Sequence, residues 1–384
     1  MTELSRFSFP TQMRFGADAR TALGEFAEMR RVTRPLLVTD AGLPSTEAFR
    51  LVAEEMERVW PEGFARFTGV RPNPEEQDVE GAFRAYSDAQ CDGVVGVGGG
   101  SALDVAKVVR ARVACPDRSL SDIVFPELPE HLAPFCALPT TAGTGSEVGR
   151  SSVITMPATG RKMVFGGQPL LADMAILDPD LTVGLPPALT AATGMDALTH
   201  AIESYVCPMF HPMCDAIALE AVRIVRLFLP RAYADGRDLE ARGMMQMAAA
   251  MGAVAFQKDL GAAHSLAHPL SSDFGVHHGL ANAIVLPHVL EFSMGPAARR
   301  MADMAGMIGI DGRDDATRAR AFLDAVLELS RSVGIPPTLE TLRVQDVPAI
   351  AREALSEAYM NYPVPRYMET TDCEQLLRRL LAGT

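Results

Sequence analysis

Short runs of apolar residues alternate with longer amphipathic stretches through the first half of the chain. The apolar runs predict strands at 36–39, 64–67, 93–97 and 135–138, and the stretches around them predict helices at 46–59, 75–89 and 102–113. Strands that alternate with helices in this way are typical of a parallel, doubly wound sheet. We therefore predict an α/β fold with a mainly parallel sheet for this half.

The pattern changes to helical periodicity from about residue 186 onward. It predicts helices at 187–206, 211–229, 238–257, 297–307 and 315–333, with two shorter ones near the C-terminal end. The segment Val183-Gly184-Leu185-Pro186-Pro187 interrupts both patterns and gives the boundary. The predicted domains are an α/β domain at 1–185 and an all-α domain at 186–384.

Composition narrows the classes of partner and compartment. The net charge is −13 and the basic residues are scattered, which argues against a nucleic acid or an anionic membrane as partner. The six cysteines form no CxxC pair, which indicates free thiols in a reducing compartment. The sequence starts without a secretory signal pattern and contains no apolar stretch near the ~20 residues that span a bilayer. We expect a soluble, cytoplasmic protein.

Two loops rich in glycine and hydroxyl side chains follow predicted strands. Gly98-Gly99-Gly100-Ser101 lies directly before a helix, where bare backbone and a helix N-terminus suit a phosphate. The third glycine of the usual dinucleotide pattern is absent, so this loop alone is equally compatible with a structural turn. The second loop, 139–146, presents three threonines and a serine after another strand, and two such loops together indicate a nucleotide site.

Asp40 ends the first predicted strand and has two interpretations. A carboxylate at this position accepts hydrogen bonds from a ribose diol and repels a 2′-phosphate, which favours NAD over NADP. An aspartate that only starts the turn at Ala41-Gly42 explains the sequence equally well.

Histidines and an aspartate at helical spacing suggest a metal site in the second half. Asp196 and His200 are four residues apart, as are His264 and His268, and His278 follows His277. Buried imidazoles need partners, and a divalent cation such as Fe(II) or Zn(II) is one. As a Lewis acid, such a metal lowers the pKa of a bound alcohol, and the resulting alkoxide is a better hydride donor. A nicotinamide accepts the hydride. A histidine that is not a metal ligand can carry the proton.

These motifs together resemble the iron-containing alcohol dehydrogenase family along nearly the whole chain, from about 10 to 380. The matching segments are Gly98–Ser101, Leu138–Val148, Leu177–Leu181, Gly194–Glu203, His264–Pro269 and His278–Ala283. The resemblance implies a dehydroquinate synthase-like superfold, NAD as cofactor, a small alcohol or aldehyde as substrate, and a homodimer or larger assembly. Fe(II) is the expected metal, with Zn(II) or another divalent cation as alternatives.

The resemblance also assigns site residues. It implies that Asp196, His200, His264 and His278 bind the metal and that His268 lies near the nicotinamide as a proton relay. Phe256 matches a position that often lines the substrate pocket, and Asp273 departs from the family pattern, which opens the substrate range. The predicted cofactor-binding residues are Asp40, Gly98, Gly99, Gly100, Ser101, Asp104, Thr140, Thr141, Gly143, Thr144, Lys162 and Leu181.

The sequence thus predicts a metal-dependent oxidoreductase that moves a hydride between NAD(H) and a small alcohol, aldehyde or hydroxy acid. Two alternatives stay open. One is an enzyme like glycerol dehydrogenase or dehydroquinate synthase. A phosphate-bearing substrate, as expected for the latter, requires a cluster of basic residues near the metal, but the segment 256–282 contains only Lys258. The other is a catalytically silent protein that binds nucleotide or metal, although such proteins usually lose ligands.

Overall fold

The structure is a computed structural model that describes residue 9 and residues 11–123, 127–158 and 161–382. The chain forms two compact units. One comprises Ser8–Leu185 and Arg237–Gln246, and the other contains Pro186–Gly236 and Met247–Thr384. The sequence division at 185/186 coincides with this change of unit, except that 237–246 belongs to the first. The assignment of two domains, 1–185 and 186–384, stays a prediction.

The first unit is built on a sheet of six strands: β1 (Gln12–Phe15), β2 (Pro35–Asp40), β3 (Ala65–Val70), β4 (Gly93–Gly98), β5 (Phe135–Pro139) and β8 (Met174–Leu177). Their order is β1-β8-β5-β4-β2-β3, and every neighbouring pair is parallel. A separate hairpin pairs β6 (Ser151–Met156) antiparallel with β7 (Arg161–Gly166). The helices of this unit are α1 (Leu23–Arg30), α2 (Glu47–Val59), α3 (Glu76–Asp88) and α4 (Gly100–Ala114). The predicted α/β fold is confirmed.

The central strands read as unbroken apolar runs because both of their faces are covered. Leu36 and Val38 of β2 contribute to one buried cluster, whereas Leu37 between them belongs to the cluster on the opposite face. Val94 and Val95 of β4 divide in the same way. Side chains that alternate between two buried layers are the signature of a parallel sheet between helices.

The strand order reverses at β2, and this reversal places the nucleotide loops. The chain leaves β2 for β3 on one side and then returns to β4 on the other side. Asp40 is the last residue of β2, and Gly98 is the last residue of the adjacent strand β4. Open α/β sheets bind ligands at the carboxyl ends of strands where the order reverses.

Sequence reasoning missed four strands in this unit, β1, β6, β7 and β8. Both β1 and β8 have four residues, too few for a periodic pattern to stand out. The hairpin of β6 and β7 alternates between buried and partly buried positions at Ser151–Met156, which a search for continuous apolar runs overlooks. The register of β1 and β8 is fixed by pairing between segments that are distant in sequence, as between Gln12 and Met174.

The second unit is helical, as predicted. It contains α5 (Pro187–Val206), α6 (Pro212–Ala234), the C-terminal part of α7 (Leu239–Ala255), α8 (Ala262–Phe274), α9 (His278–Met307), α10 (Asp315–Ser332), α11 (Val347–Asn361) and α12 (Thr370–Arg378). Every residue of α5 from Thr190 to Val206 is buried. Helix α5 packs against α6 and α9, and α8 packs against α9 and α11. Among the described residues, no helix has the length and apolar composition to cross a bilayer.

Helices α6 and α9 are longer than predicted because they continue through prolines. Helix α9 begins at His278, not at 297, and contains Pro287 and Pro296; α6 extends past Pro230. A proline inside a helix destabilises the helix by about 3 kcal/mol. The sequence pattern alone therefore predicts that a helix ends before a proline. Buried residues on both sides of Pro287 provide tertiary packing that offsets this cost.

Gly279, in the first turn of α9, marks the close approach of this helix to α5. A Cβ atom at this position would lie 2.4 Å from the carbonyl oxygen of Ala192, which cannot move without shifting the α5 backbone. We predict that Gly279→Ala lowers the free energy of unfolding by about 1–3 kcal/mol. Denaturant unfolding monitored by circular dichroism measures the change.

Gly295 of the same helix offers a matched control, since no atom lies within 4 Å of its added Cβ. Gly295→Ala should leave stability unchanged or raise it by up to about 1 kcal/mol, through helix propensity. Equal stabilities of the two variants would contradict the close packing of α9 on α5.

Candidate active site

Three polar side chains converge in the helical unit around one point. Asp196 and His200 extend from successive turns of α5, and His264 extends from the first turn of α8. One ligand atom from each residue lies within 4.8 Å of the others, and all three residues are buried. The four-residue spacing of Asp196 and His200 puts both on the same face of α5.

His278, the first residue of α9, completes this group. Its Nε2 atom is 3.6 Å from Oδ1 of Asp196, and its ring centroid is 5.5 Å from that of His264. The ring of His264 also stacks on that of His200 at 4.7 Å. The structure thus brings together the four predicted metal ligands, although His278 is more exposed than the other three, with 31% of its side chain accessible.

The protonation of this group suits a cation. Burial and the adjacent histidines hold the pKa of His264 well below its usual value, so its imidazole is neutral. Burial tends to raise the pKa of Asp196, but His200, His278 and a hydrogen bond from Asn282 outweigh burial and lower it. The result is an ionised carboxylate of Asp196 close to the neutral imidazole of His264.

One atom tests directly whether these residues fit a metal ion. Nε2 of His264 is buried and has no hydrogen-bond partner, a costly state for a polar atom. It lies 3.9 Å from Oδ1 of Asp196. Nitrogen and carboxylate donors around such an atom fit a first-row divalent cation, including Fe(II) and Zn(II).

Hydrogen bonds from outside the group orient its members. Glu203 contacts Nδ1 of His264 at 2.6 Å, and Nδ2 of Asn282 donates to Oδ1 of Asp196 at 2.8 Å. Both lie one helical turn from a ligand, Glu203 after His200 and Asn282 after His278. Such supporting hydrogen bonds fix the ring orientation and basicity of metal ligands.

His268 lies beside the group and has a separate hydrogen-bond network. Its Nδ1 atom is 2.6 Å from Oε1 of Glu357, which also accepts the hydroxyl of Tyr362 at 2.6 Å. Its ring stacks on His278 with centroids 5.3 Å apart, and 30% of its side chain is accessible. These contacts keep the ring next to the ligands with Nε2 outside this network.

Three other residues that the sequence singled out have distinct positions. Phe256 lies in the short 3₁₀ turn after α7, and its ring centroid is 5.1 Å from that of His200. His277 is the N-cap residue of α9, next to the predicted ligand His278. Asp273 is exposed in the last turn of α8.

The glycine loop after β4 has the backbone geometry of an anion site. Gly98 has a φ of +146°, which residues with a side chain rarely adopt, and Gly99 is the N-cap of α4. A Cβ on Gly100 would lie 2.9 Å from Cγ2 of Thr144, so the second loop packs directly on the first turn of α4. Phosphate oxygens suit the free N–H groups of such a helix N-terminus.

The carboxylate of Asp40 is shared between a turn and this glycine loop. Oδ1 accepts the backbone N–H groups of Gly42 at 2.9 Å and Leu43 at 3.0 Å. Oδ2 lies 3.3 Å from the Cβ position of Gly98. The turn role is therefore present, and the second oxygen faces the loop where a ribose would be expected.

Two predicted cofactor residues have side chains engaged in holding the loops. Ser101 Oγ donates to the carbonyl of Pro72 at 2.6 Å. Asp104 accepts the hydroxyl of Ser146 at 2.7 Å and the backbone N–H of Val153 at 2.8 Å. Lys107, fully buried, donates to Ser146 at 2.7 Å, and burial lowers the pKa of its amine to about 8. The contacts of Asp104 and Lys107 with Ser146 connect α4 to the second loop.

The remaining cofactor residues differ in their surroundings. Thr140, Thr141, Gly143 and Thr144 lie in the loop after β5, where the backbone N–H of Thr140 donates to the carbonyl of Gly98 at 3.0 Å. Lys162 is half-buried in β7. Leu181 is 2% exposed and packs in the sheet core, which accounts for this side chain without a cofactor. Direct contact of any of them with NAD stays a prediction.

Comparison with known proteins identifies the family. Residues 10–179 match the family described as iron-containing alcohol dehydrogenase, and residues 190–381 match its C-terminal counterpart. The chain belongs to the iron-containing alcohol dehydrogenase family. It is therefore an NAD-dependent, metal-containing oxidoreductase that transfers a hydride between NAD(H) and an alcohol or aldehyde.

The similarity of this alcohol dehydrogenase to individual relatives extends over most of both chains. The chain is 38% identical to 4-hydroxybutyrate dehydrogenase of Cupriavidus necator, over 82% of this chain and 83% of that protein. Its structure resembles a crystal structure of 1,3-propanediol oxidoreductase with a TM-score of 0.93, 33% identity and coverage of 98% and 100%. It also resembles sulfoacetaldehyde reductase of Bifidobacterium kashiwanohense in complex with NAD+, with a TM-score of 0.88, 29% identity and full coverage of both chains.

The structure adds four residues that sequence reasoning did not assign to this dehydrogenase site. Glu203 and Asn282 lie inside the recognised motifs, three and four residues after a ligand, so helical spacing could have indicated them. Glu357 and Tyr362 contact the site from 89 or more residues beyond His268. Nothing local in the sequence marks this last pair.

Asp40 allows a test of cofactor selection in this dehydrogenase. Asp40→Asn keeps an oxygen for the turn but removes the charge. We predict that NAD binds about tenfold more weakly, since a hydrogen bond to a charged group contributes about 1.5–3 kcal/mol. The affinity for NADP should fall less or rise, because the charge that repels its 2′-phosphate is removed. Fluorescence titration of the metal-free protein with each nucleotide gives both dissociation constants, and Asp88→Asn, an exposed change at the end of α3, is the control. Unchanged affinity for NAD would leave Asp40 with the turn role alone.

Proposed function

We propose that this chain interconverts a short primary alcohol that carries a second polar group and the corresponding aldehyde, with Asp196, His200, His264 and His278 as metal ligands and His268 as the proton-carrying residue. The observation that carries the proposal is the convergence of Asp196, His200 and His264, with His278 beside Asp196, at a place where Nε2 of His264 is buried and has no hydrogen-bond partner.

The chemistry divides between the cofactors and the chain. A divalent cation in this site supplies a Lewis acid that lowers the pKa of the alcohol, and NAD accepts the hydride. Asp196, His200 and His264 hold their donor atoms together in a buried place, where charges interact more strongly than in water, and the more exposed His278 lies beside Asp196. His268, which Glu357 holds by Nδ1, has Nε2 outside that contact to receive or return the alcohol proton.

The substrate class is supported by the names of the relatives. 4-Hydroxybutyrate and 1,3-propanediol are both short chains with a terminal hydroxyl and a second polar group at the far end. A small alcohol, aldehyde or hydroxy acid fits the same chemistry in this chain. Phe256, next to His200, contributes an apolar surface beside the ligands.

The alternative of a lyase that handles a phosphate-bearing substrate is disfavoured because the described segment 256–282 offers no unengaged lysine or arginine to bind the phosphate. Lys258 is the one basic residue other than histidine between 256 and 282, and all of these residues are described. It is 0% exposed and forms an ion pair with Asp215, so its charge is already engaged. A catalytically silent protein is disfavoured by the retention of all four ligands.

We also propose a cytoplasmic location, self-association into a dimer or larger assembly, and functional domains at 1–185 and 186–384. The six free cysteines suit a reducing compartment. Met209, Phe210 and Met213 are 45%, 70% and 49% exposed around the start of α6, and adjacent exposed apolar side chains favour contact with another protein surface.

Metal removal tests the proposed function. Chelated protein should produce no NADH from 1,3-propanediol or 4-hydroxybutyrate, and anaerobic Fe(II) or Zn(II) should restore the reaction. His264→Ala should weaken Zn(II) binding by more than the roughly 10–100-fold typical of changes to groups that only support a ligand. Metal content and NADH absorbance are the two measurements.

His288→Ala is the matched control for this experiment, since His288 is a half-buried histidine of α9 outside the ligand group. It should retain both the metal and the activity. Turnover by the chelated protein, or equal metal loss in both variants, would count against the proposed site.

His268 is tested by separating turnover from metal binding. We predict that His268→Asn lowers kcat by roughly 100-fold or more, as expected when a general acid–base group is lost, while the Zn(II) content stays at one ion per chain as in the unchanged protein. Steady-state kinetics and metal analysis of the same sample provide both values. Loss of Zn(II) to the extent seen for His264→Ala would instead make His268 a ligand.

A further inference from the structure

We infer that Glu203 is a positioning residue that sets His264 for metal binding, by holding its Nδ1 so that Nε2 is presented to the cation. The inference rests on the proposed metal site. Glu203 contacts neither substrate nor cofactor by itself, and it acts through the ring of His264.

The two carboxyl oxygens of Glu203 contact three nitrogen atoms at the start of α8. Oε2 accepts the backbone N–H of Gly261 at 3.0 Å and lies 2.6 Å from Nδ1 of His264. Oε1 accepts the backbone N–H of Ala263 at 2.6 Å. The carboxyl group of Glu203 thus accepts two backbone N–H groups and also lies at hydrogen-bond distance from the Nδ1 of His264.

This arrangement determines which ring nitrogen of His264 is available. With the Nδ1 proton directed to Glu203, Nε2 retains its lone pair and, as described above, has no protein partner. Without an acceptor at Nδ1 the proton could move to Nε2, and the ring could rotate. Carboxylates that orient a metal-bound imidazole in this way also raise its basicity.

The position of Glu203 is enforced by packing as well as by hydrogen bonds. It is 4% exposed on the fully buried part of α5, one turn beyond His200. A Cβ on Gly261 would lie 2.6 Å from Oε1, so no side chain at 261 can share the space.

Glu357 provides an internal comparison. It makes the same 2.6 Å contact to Nδ1 of a histidine, but this histidine is His268, one turn further along α8. The two acids therefore support two histidines with different proposed tasks. A general electrostatic effect of acids near the metal would act through both residues, whereas positioning of His264 acts through Glu203 alone.

The test measures metal affinity rather than activity. Zn(II) is titrated against a chromophoric chelator with full-length, metal-stripped protein, and Co(II) absorption reports the ligand geometry. We expect Glu203→Gln to raise the Zn(II) dissociation constant about 10–100-fold and to alter the Co(II) spectrum. Glu357→Gln should leave both within about threefold of the unchanged protein, a margin well below the effect of supporting groups. Unchanged affinity in Glu203→Gln, or equal weakening by both variants, overturns the inference.

His264→Ala in the same titration separates this inference from the proposed function. If His264→Ala weakens Zn(II) binding and Glu203→Gln does not, only the role of Glu203 fails. If His264→Ala binds Zn(II) as tightly as the unchanged protein, the proposed metal site fails and the role of Glu203 fails with it.

A second measurement needs no change at position 203 and applies if Glu203→Gln does not fold. Long-range nitrogen–proton NMR of histidine-labelled, metal-free protein identifies the tautomer of each ring, with His264→Ala providing the assignment. We expect His264 to be neutral and protonated at Nδ1. Protonation at Nε2, alone or together with Nδ1, would overturn the inference.

Discussion

Asp196 places an ionised carboxylate on a helix that is buried along almost its whole length, and the surrounding structure satisfies that charge. Desolvation of a lone carboxylate would favour its neutral form, so the neighbouring groups must offset this effect. Asn282 donates a hydrogen bond to it, while His200 and His278 stabilise its negative charge and lower its pKa. The geometry of the candidate metal site follows from this requirement.

The backbone brings these groups together because two helices lie unusually close. Gly279 lets the first turn of α9 contact the backbone of α5 at Ala192, and this contact sets His278 beside Asp196. Helix α8 reaches the same place through its first turn, where His264 lies. The packing that stabilises the helical unit therefore also determines the distances between the donor atoms.

The α/β unit uses a different constraint for its own site. The strand order reverses at β2, so Asp40 and Gly98 end adjacent parallel strands at one edge of the sheet. Asp104 and Lys107 then connect helix α4 to the loop after β5 through Ser146. Buried polar contacts of this kind hold two loops in one arrangement, which a site for an extended dinucleotide requires.

Local patterns in the sequence determined much of this protein. Apolar runs and helical periodicity defined the α/β and helical halves, and the four-residue spacing of Asp196 and His200 placed two donors on one helix face. Both features depend on the repeat of a single element, which the sequence contains in full. The passage of α9 through Pro287 was not predicted, because tertiary packing offsets a local cost that sequence reasoning treats as decisive.

Tertiary structure alone decided the remainder. The short strands β1 and β8 form because each pairs with a strand far away in sequence. Glu203 contacts His264, 61 residues further along the chain, and Glu357 contacts His268, 89 residues earlier, so both pairs depend on how separate helices pack. Hydrogen-bond partners at such separations are set by the packing of whole helices, and no periodicity within one helix encodes them.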